Sequence, residues 1–311
     1  MKTSVVMATY NGEKFLNKQL DSIASQSVLP DELVIVDDGS KDSTRQLLSD
    51  FAEKFGHDIS IILVFREKNL GYIKNFIDGI ARTKNELIFL CDQDDLWHED
   101  KIKETKLFFD SNPDMVALHS NTNIIDQDSN VIKWGAQEYK KVLEKRTVKQ
   151  FIKKVNYPGM ALAFRKGVIL PKLLELDKQF NLPTHDWVIG FLGAINEGFY
   201  VTCKVFTFRR YTGENVALQL DSNSKNFLID ERIQGIDLYK EYYELVSKYQ
   251  ILFGEEIIDI NQYLSNAEIR VKYLRSKNLL DCIRNLRNIN YYPSYSSFLK
   301  DIIMTARGNG G

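Results

Sequence analysis

Residues 4–12 read SVVMATYNG, residues 33–40 read LVIVDDGS, and residues 87–95 read LIFLCDQDD. Each is a short apolar run that ends abruptly in polar residues suited to turns. Such runs, rich in Val and Ile and bounded by turn signals, read as strands. They are apolar at consecutive rather than alternate positions, which predicts strands covered on both faces. Between them lie stretches with helical spacing. Phe15, Leu16, Leu20 and Ile23 share one face, and Leu47, Leu48, Phe51 and Phe55 share another, with Asp42 and Ser43 placed to cap it. Ile73, Phe76, Ile77 and Ile80 mark a third helix, and Ile59–Phe65 a further strand. Strand and helix alternating in this way predict an α/β fold with a mainly parallel sheet and right-handed crossovers.

The consequence is positional. In open sheets of this class, ligands sit beyond the carboxyl ends of the strands. Those ends carry Thr9-Tyr10-Asn11-Gly12, Asp37-Asp38-Gly39-Ser40 and Asp92-Gln93-Asp94-Asp95. Three polar clusters are therefore expected on one edge of the sheet.

Further along, Met115–Ser120, Met160–Phe164 and Tyr200–Phe208 fit strands, and Asp186–Ile195 fits a helix. From about Ser222 the pattern changes to long helices that continue through Leu286, followed by a Tyr-rich tail. The expected division is a domain over 1–220 and a helical extension over 221–311, with Gly308–Gly311 frayed.

Bulk properties exclude several classes. The 311 residues are 44% hydrophobic and 27% charged, as in soluble globular proteins, and the net charge of −1 gives no general attraction to nucleic acid. Cys91, Cys203 and Cys282 are odd in number and lack metal-ligand spacing, so they read as free thiols of a cytoplasmic protein. No signal peptide is visible, and no run approaches the roughly 18 apolar residues of a spanning helix.

Asp92 and Asp94 stand one residue apart after an apolar strand. Two carboxylates so placed suit a hard divalent cation, Mg²⁺ or Mn²⁺, whose shell is completed by water and phosphate oxygens. The other reading is an acidic turn capping the next helix. Asp38 can accept hydrogen bonds from a base or a ribose, or simply close a turn. Gly71 opens a helix whose amino end is a natural neighbour for phosphate, with Lys74 in its first turn; a solvated helix start is the alternative.

Taken together, ATYNG at 8–12, VDDGS at 36–40, NLGYIKN at 69–75 and CDQDDLW at 91–97 resemble glycosyltransferase family 2, in order and spacing, over roughly residues 3–215. That resemblance implies a GT-A, Rossmann-like mixed sheet flanked by helices. It implies transfer of a sugar from a nucleotide-sugar donor, with inversion, and a metal on the diphosphate. By resemblance, Thr9, Tyr10, Asn11, Asp38, Gly71 and Lys74 fall to the nucleotide, and Asp92 and Asp94 to the metal and donor sugar. The base is then Asp186, in Thr184-His185-Asp186-Trp187 at a helix start, where the dipole favours the carboxylate. HDW and CDQDDLW resemble the form found in bacterial rhamnosyltransferases, which favours dTDP-rhamnose over a UDP-hexose as donor and a saccharide or lipid-linked saccharide as acceptor. Family members often carry a basic-x-His stretch where this chain has Arg209-Arg210-Tyr211, with Tyr211 at the histidine position, so Arg209 or Arg210 is expected to neutralise the leaving diphosphate instead. The Gln-x-x-Arg-Trp motif of processive synthases is absent, which fits single-sugar transfer.

Residues 264–311 hold eight basic and three acidic side chains among Leu, Ile and Tyr. That mixture suits peripheral contact with an anionic membrane, or a basic face over a homo-oligomer interface. A phosphatase would explain Asp92-x-Asp94 but not the clusters at the other strand ends. No Gly-x-Gly-x-x-Gly follows a strand, which argues against a dehydrogenase. A scaffold that lost turnover has no use for the acidic set or Asp186.

Overall fold

The computed structural model describes residues 1–212 and 229–307. Strands β1 (Thr3–Thr9), β2 (Glu32–Asp37), β3 (Ser60–Phe65) and β4 (Leu87–Cys91) alternate with helices α1 (Leu16–Ala24), α2 (Thr44–Phe55) and α3 (Tyr72–Arg82). A short β5 (Leu96–Trp97) leads to α4 (Lys101–Ser111), β6 (Ala117–Ile125), β7 (Val131–Lys133), β8 (Glu144–Lys145) and α5 (Val148–Phe151). A 3₁₀ turn over Gly159–Ala161 precedes β9 (Leu162–Arg165), α6 (Lys166–Gln179), α7 (His185–Ile195) and β10 (Phe199–Arg210).

The sheet runs β3-β2-β1-β4-β9-β6-β10-β5, with β7 beside β6 and β8 beside β10. β1 is parallel to β2 and β4, β2 to β3, and β6 to β10, while β9 lies antiparallel between β4 and β6. This is the expected mixed, mainly parallel sheet. Register then sets the site. Thr9 stands opposite Asp37, and Met7 opposite Cys91, so the polar residues after β1, β2 and β4 leave the sheet at nearly one level.

Alternation along β1 divides the core. Val5 and Met7 join Leu16, Leu20 and Ile23 of α1, Leu48 and Phe51 of α2, and Ile102 and Phe109 of α4. Val6 points the other way, toward α3, which packs on β1 and β2. Burying each such side chain stabilises the fold by roughly 1.5–3 kcal/mol. The strand expected over Met160–Phe164 begins only at Leu162. At Gly159 the chain comes so close to α7 that a Cβ would sit 3.3 Å from both Asp186 Cβ and His185 Nε2, and the backbone turns there instead.

The described residues fall into two compact units, 1–147 with 156–212, and 148–155 with 229–307. The boundary expected near residue 220, the Gly213–Asn215 stretch and the glycine-rich end lie outside the described residues. The second unit is helical: α8 (Ile229–Phe253), α9 (Ile260–Ser276), α10 (Leu279–Arg284), a 3₁₀ segment (Asn285–Tyr291) and α11 (Tyr295–Arg307). No described helix is long and apolar enough to cross a membrane.

Inside this unit the wholly buried Asp301 accepts from Arg232 Nε at 2.7 Å, Arg270 Nε at 2.8 Å and Tyr273 Oη at 2.6 Å. Burial alone would raise its pKa, but the two guanidinium charges and the tyrosine outweigh burial and hold it below the ordinary 3.8. Asp301→Ala leaves Arg270 buried without its counter-charge, and urea unfolding is expected to show a loss of about 3–5 kcal/mol. Because the folded pKa is depressed, this contribution is present above about pH 4 and disappears as pH falls through the folded value.

Candidate active site

The loop after β1 is laced to the loop after β2. Asn11 N–H donates to Ser40 Oγ at 2.9 Å, Gly12 N–H to Thr44 Oγ1 at 2.8 Å, and Lys41 N–H to Asn11 Oδ1 at 2.9 Å. Asn11 adopts φ +48°, a conformation asparagine tolerates better than most residues. Asp37 is fully buried and fully engaged. It accepts from Thr9 Oγ1 at 3.1 Å, Ser40 N–H at 3.0 Å and Arg45 Nε at 2.8 Å, and also from Ser40 Oγ. Asp38 turns to the next loop, where it accepts from Leu70 N–H at 2.9 Å and Gly71 N–H at 2.8 Å. Its carboxylate therefore shapes the amino end of α3. Tyr10 is half-exposed.

Gln93 ties the third loop to the first. Its Oε1 accepts from Tyr10 N–H at 2.8 Å, and its Nε2 donates to Tyr10 O at 3.0 Å. Gly12 leaves room for this amide, since a Cβ there would fall 2.4 Å from Gln93 Oε1. Gln93 stood inside the CDQDDLW motif, but nothing in its type or position announced this role.

The acidic loop is desolvated and its carboxylates act on one another. Burial, then the charge of Asp94, pushes Asp92 up to about 7, while Arg209 pulls the other way. Burial also raises Asp94, against Arg209 and Arg210, and raises Asp95 well above its ordinary value, helped by Asp94 and Asp92. One oxygen of Asp95 accepts from Arg210 N–H at 2.9 Å; the other has no hydrogen-bond partner among the described residues. Hard oxygen donors with raised pKa values fit a divalent cation in chemistry. Among the described residues no three His, Cys, Asp or Glu side chains gather closely enough to hold one unaided. A cation here would take one or two carboxylates and draw its remaining ligands from water and a diphosphate.

Of the basic residues the sequence points to, Arg210 and Lys74 are both drawn into structural contacts. Arg210 is wholly buried, with its guanidinium donating to Asp94 O at 2.8 Å, Asp126 O at 2.8 Å and Gln127 O at 3.0 Å over the ring of Phe15. It braces the acidic loop from behind, and it is the half-buried Arg209 whose charge reaches Asp92, Asp94 and Asp95 together. Lys74 is drawn away to α6 by an ion pair with Asp177 Oδ1 at 2.6 Å. Behind the site lies Lys101, whose Nζ donates to Met160 O at 2.6 Å and Thr207 Oγ1 at 2.9 Å and stands 3.9 Å over the Trp97 ring. Burial pulls it down to about 7. A lysine at the start of a helix looks like a surface residue in sequence, so it was not singled out.

Asp186 sits in the first turn of α7, where its Oδ1 accepts from Trp187 N–H at 2.7 Å and Thr184 caps the helix. Its charge raises Asp92, which places the two carboxylates in one field. Tyr72, at the start of α3, is exposed and senses both: burial, then Asp186 and Asp92, raise its hydroxyl pKa. The sequence reading passed over Tyr72 because helical spacing marked only its apolar neighbours. His185 is 3% exposed, with its ring stacked on Phe76 at 4.2 Å. Burial lowers its pKa, and neither ring nitrogen meets a hydrogen-bond partner among the described residues. Trp187 is buried in the core against Phe191.

Residues 4–170 match the family model described as Glycosyl transferase family 2. The chain belongs to glycosyl transferase family 2. An uncharacterised glycosyltransferase of Nostoc sp. is 26% identical over 309 residues, covering 97% of this chain and 86% of that protein. The dTDP-rhamnosyl transferase RfbG of Shigella flexneri is 27% identical over 231 residues, 70% of this chain and 76% of its own. Among solved structures, residues 1–349 of TarS from S. aureus, in complex with UDP-GlcNAc, superpose with a TM-score of 0.59 at 16% identity, covering 100% of this chain and 92% of that one. Such a family 2 enzyme is a glycosyltransferase that acts on a nucleotide-sugar donor.

Proposed function

We propose that this family 2 enzyme transfers a single rhamnose from dTDP-rhamnose to a hydroxyl of a saccharide or lipid-linked saccharide, with inversion, in bacterial surface polysaccharide synthesis. One observation carries the reading: the Asp92–Asp94 loop and Asp186 share one electrostatic field at the carboxyl edge of the sheet, beside loops braced on Asp37 and Asp38. The likeness to RfbG supports dTDP-rhamnose; the fold likeness to TarS keeps a UDP-sugar as the second reading.

In this mechanism Asp186 takes the proton of the acceptor hydroxyl as its oxygen bonds to the anomeric carbon. The bond from that carbon to the diphosphate oxygen breaks, and configuration inverts. Thr9, Tyr10, Asn11 and Asp38 line the nucleoside side, and Arg209 faces the diphosphate side. When bound on Asp92 and Asp94, Mn²⁺ or Mg²⁺ supplies positive charge for the departing diphosphate.

Thermal unfolding with dTDP, UDP and GDP, each with and without Mn²⁺, tests the donor. A ligand at 100 times its Kd stabilises the folded state by about 2.7 kcal/mol, a shift of several degrees. A metal-dependent shift with dTDP alone supports the proposal, and a shift with UDP alone moves the donor to UDP-sugars. Folded protein that responds to no nucleotide overturns both.

The Gln93 clamp gives a second expectation. Gln93→Ala removes two hydrogen bonds worth about 1 kcal/mol each, which should weaken nucleotide binding roughly tenfold or more in calorimetric titration. Gly12→Ala displaces the same amide, so the two substitutions together should cost little more than either alone. Full additivity would show that the clamp does not order the Tyr10 loop.

A further inference from the structure

We infer that the outer face of α10, the 3₁₀ segment after it and α11 docks on an anionic bilayer surface. The observation is a bare apolar face where a helix of a soluble protein would be polar. On α11, Tyr295, Leu299 and Ile303 follow one another at four-residue spacing and are 62%, 42% and 50% exposed. They form a stripe on the side opposite the buried Asp301, with Phe298 at its edge, its ring 6.3 Å from that of Tyr295. On the neighbouring segment Leu280, Ile283 and Leu286 recur every third residue and are 66%, 48% and 47% exposed. α10 packs against α11 within the second unit, so the two stripes belong to one piece of structure. Single exposed apolar residues are ordinary; two stripes of three on elements that pack together mark an interaction surface.

The charge around the stripes decides the occupant. Arg270 and Asp301 are buried against each other and contribute nothing to this surface. Exposed on these segments are Arg284, Arg287 and Lys300, with Lys277 just before α10; Asp281 offsets Arg284 at 3.3 Å, which leaves three of the four cations with no acid among them. A two-fold contact with a second copy would set this basic rim against itself. Anionic headgroups complement it, while Tyr295, Leu299 and Ile303 enter the boundary with the acyl chains. Large apolar residues on one side of a helix with lysine and arginine at its border are the pattern of a helix lying in the plane of an interface.

The test is sedimentation of the full chain with vesicles of phosphatidylcholine alone or with about one third phosphatidylglycerol, at low and high salt. Binding to the anionic vesicles, weakened by salt and absent with phosphatidylcholine alone, is expected. Leu299→Glu with Ile303→Glu should reduce partitioning about tenfold or more, and Arg284→Glu with Arg287→Glu and Lys300→Glu should do the same. These residues are exposed, so unchanged thermal midpoints are expected and would show that both variants fold. A variant that fails that check is replaced by Leu299→Ser with Ile303→Ser, read against the same criterion. No sedimentation with anionic vesicles at low salt, or sedimentation that both folded variants retain, overturns the proposal. So does a doubling of mass in sedimentation velocity that the Leu299 and Ile303 variant abolishes, because a second copy then covers the face. Donor binding is read separately by nucleotide thermal shift, so failure here leaves the transferase reading intact, and failure there leaves this one intact.

Discussion

Asp186→Asn is expected to lower kcat by about 10²–10⁴-fold, the usual range for loss of a general base, with nucleotide affinity unchanged. The substitution is nearly isosteric. The amide oxygen can still accept from Trp187 N–H, as Asp186 Oδ1 does at 2.7 Å, so the first turn of α7 should survive. What is lost is the basic oxygen. His185 cannot replace it: the ring is buried and stacked on Phe76, and burial lowers its basicity. Tyr72 cannot either, because its proton is held more tightly than usual by burial and by the charges of Asp186 and Asp92. The substitution also removes a negative charge near Asp92, so the pKa of Asp92 should drop in the variant. Initial rates at saturating donor, with donor affinity measured in parallel, decide the matter. A variant within threefold of wild type removes Asp186 from the role of base. A variant that loses donor binding as steeply as turnover assigns it to the donor site instead.

The sheet was readable because strand ends announce themselves. Apolar runs stopping at Thr9, Asp37 and Cys91 placed three loops on one edge, and the register bears this out, with Thr9 opposite Asp37 and Met7 opposite Cys91. Periodicity recorded which residues are buried along one element but not which element lies beside it. That is why β9 could be expected as a strand, yet its place between β4 and β6 could not, nor its shortening by the close approach of Gly159 to α7. The same limit explains the two arginines. Arg209 and Arg210 are adjacent in a strand and point to opposite faces, and only the strand's placement shows that Arg210 is spent on carbonyls behind the loop while the charge of Arg209 reaches Asp92 as well. Lys74 is a similar case: a lysine in the first turn of α3 could reach a phosphate, but Asp177, 103 residues later, takes it first. Lys101 and Gln93 were hidden for another reason. Gln93 works through the backbone of Tyr10, and Lys101 through a carbonyl, a hydroxyl and a ring brought in from distant segments, and neither set of partners leaves a signature in the local side-chain pattern.

Asp94→Ala is expected to abolish stimulation by Mn²⁺ or Mg²⁺ and to cost several kcal/mol of transition-state stabilisation, about 10²–10⁴ in rate. The argument rests on charge. Asp92 is pushed up to about 7 by burial and by the neighbouring Asp94 carboxylate, so near neutral pH a proton and a cation compete for the same oxygens. Apparent metal affinity should therefore weaken as pH falls below about 7, approaching tenfold per pH unit for one displaced proton. The sign for stability runs the same way. With its folded pKa above the ordinary 3.8, Asp92 holds its proton longer in the folded chain than in the unfolded one. Without metal, the folded state then loses stability as pH rises from about 4 to about 7. Added Mn²⁺ should restore it, raising Tm more at pH 8 than at pH 6. In Asp94→Ala the cation loses one of its two carboxylates, and Asp92 loses the charge that raised it, so the metal-dependent Tm shift should shrink at both pH values. A metal response that is flat with pH would dismiss the competition at Asp92. A response unchanged in Asp94→Ala would take Asp94 out of the metal's coordination shell altogether.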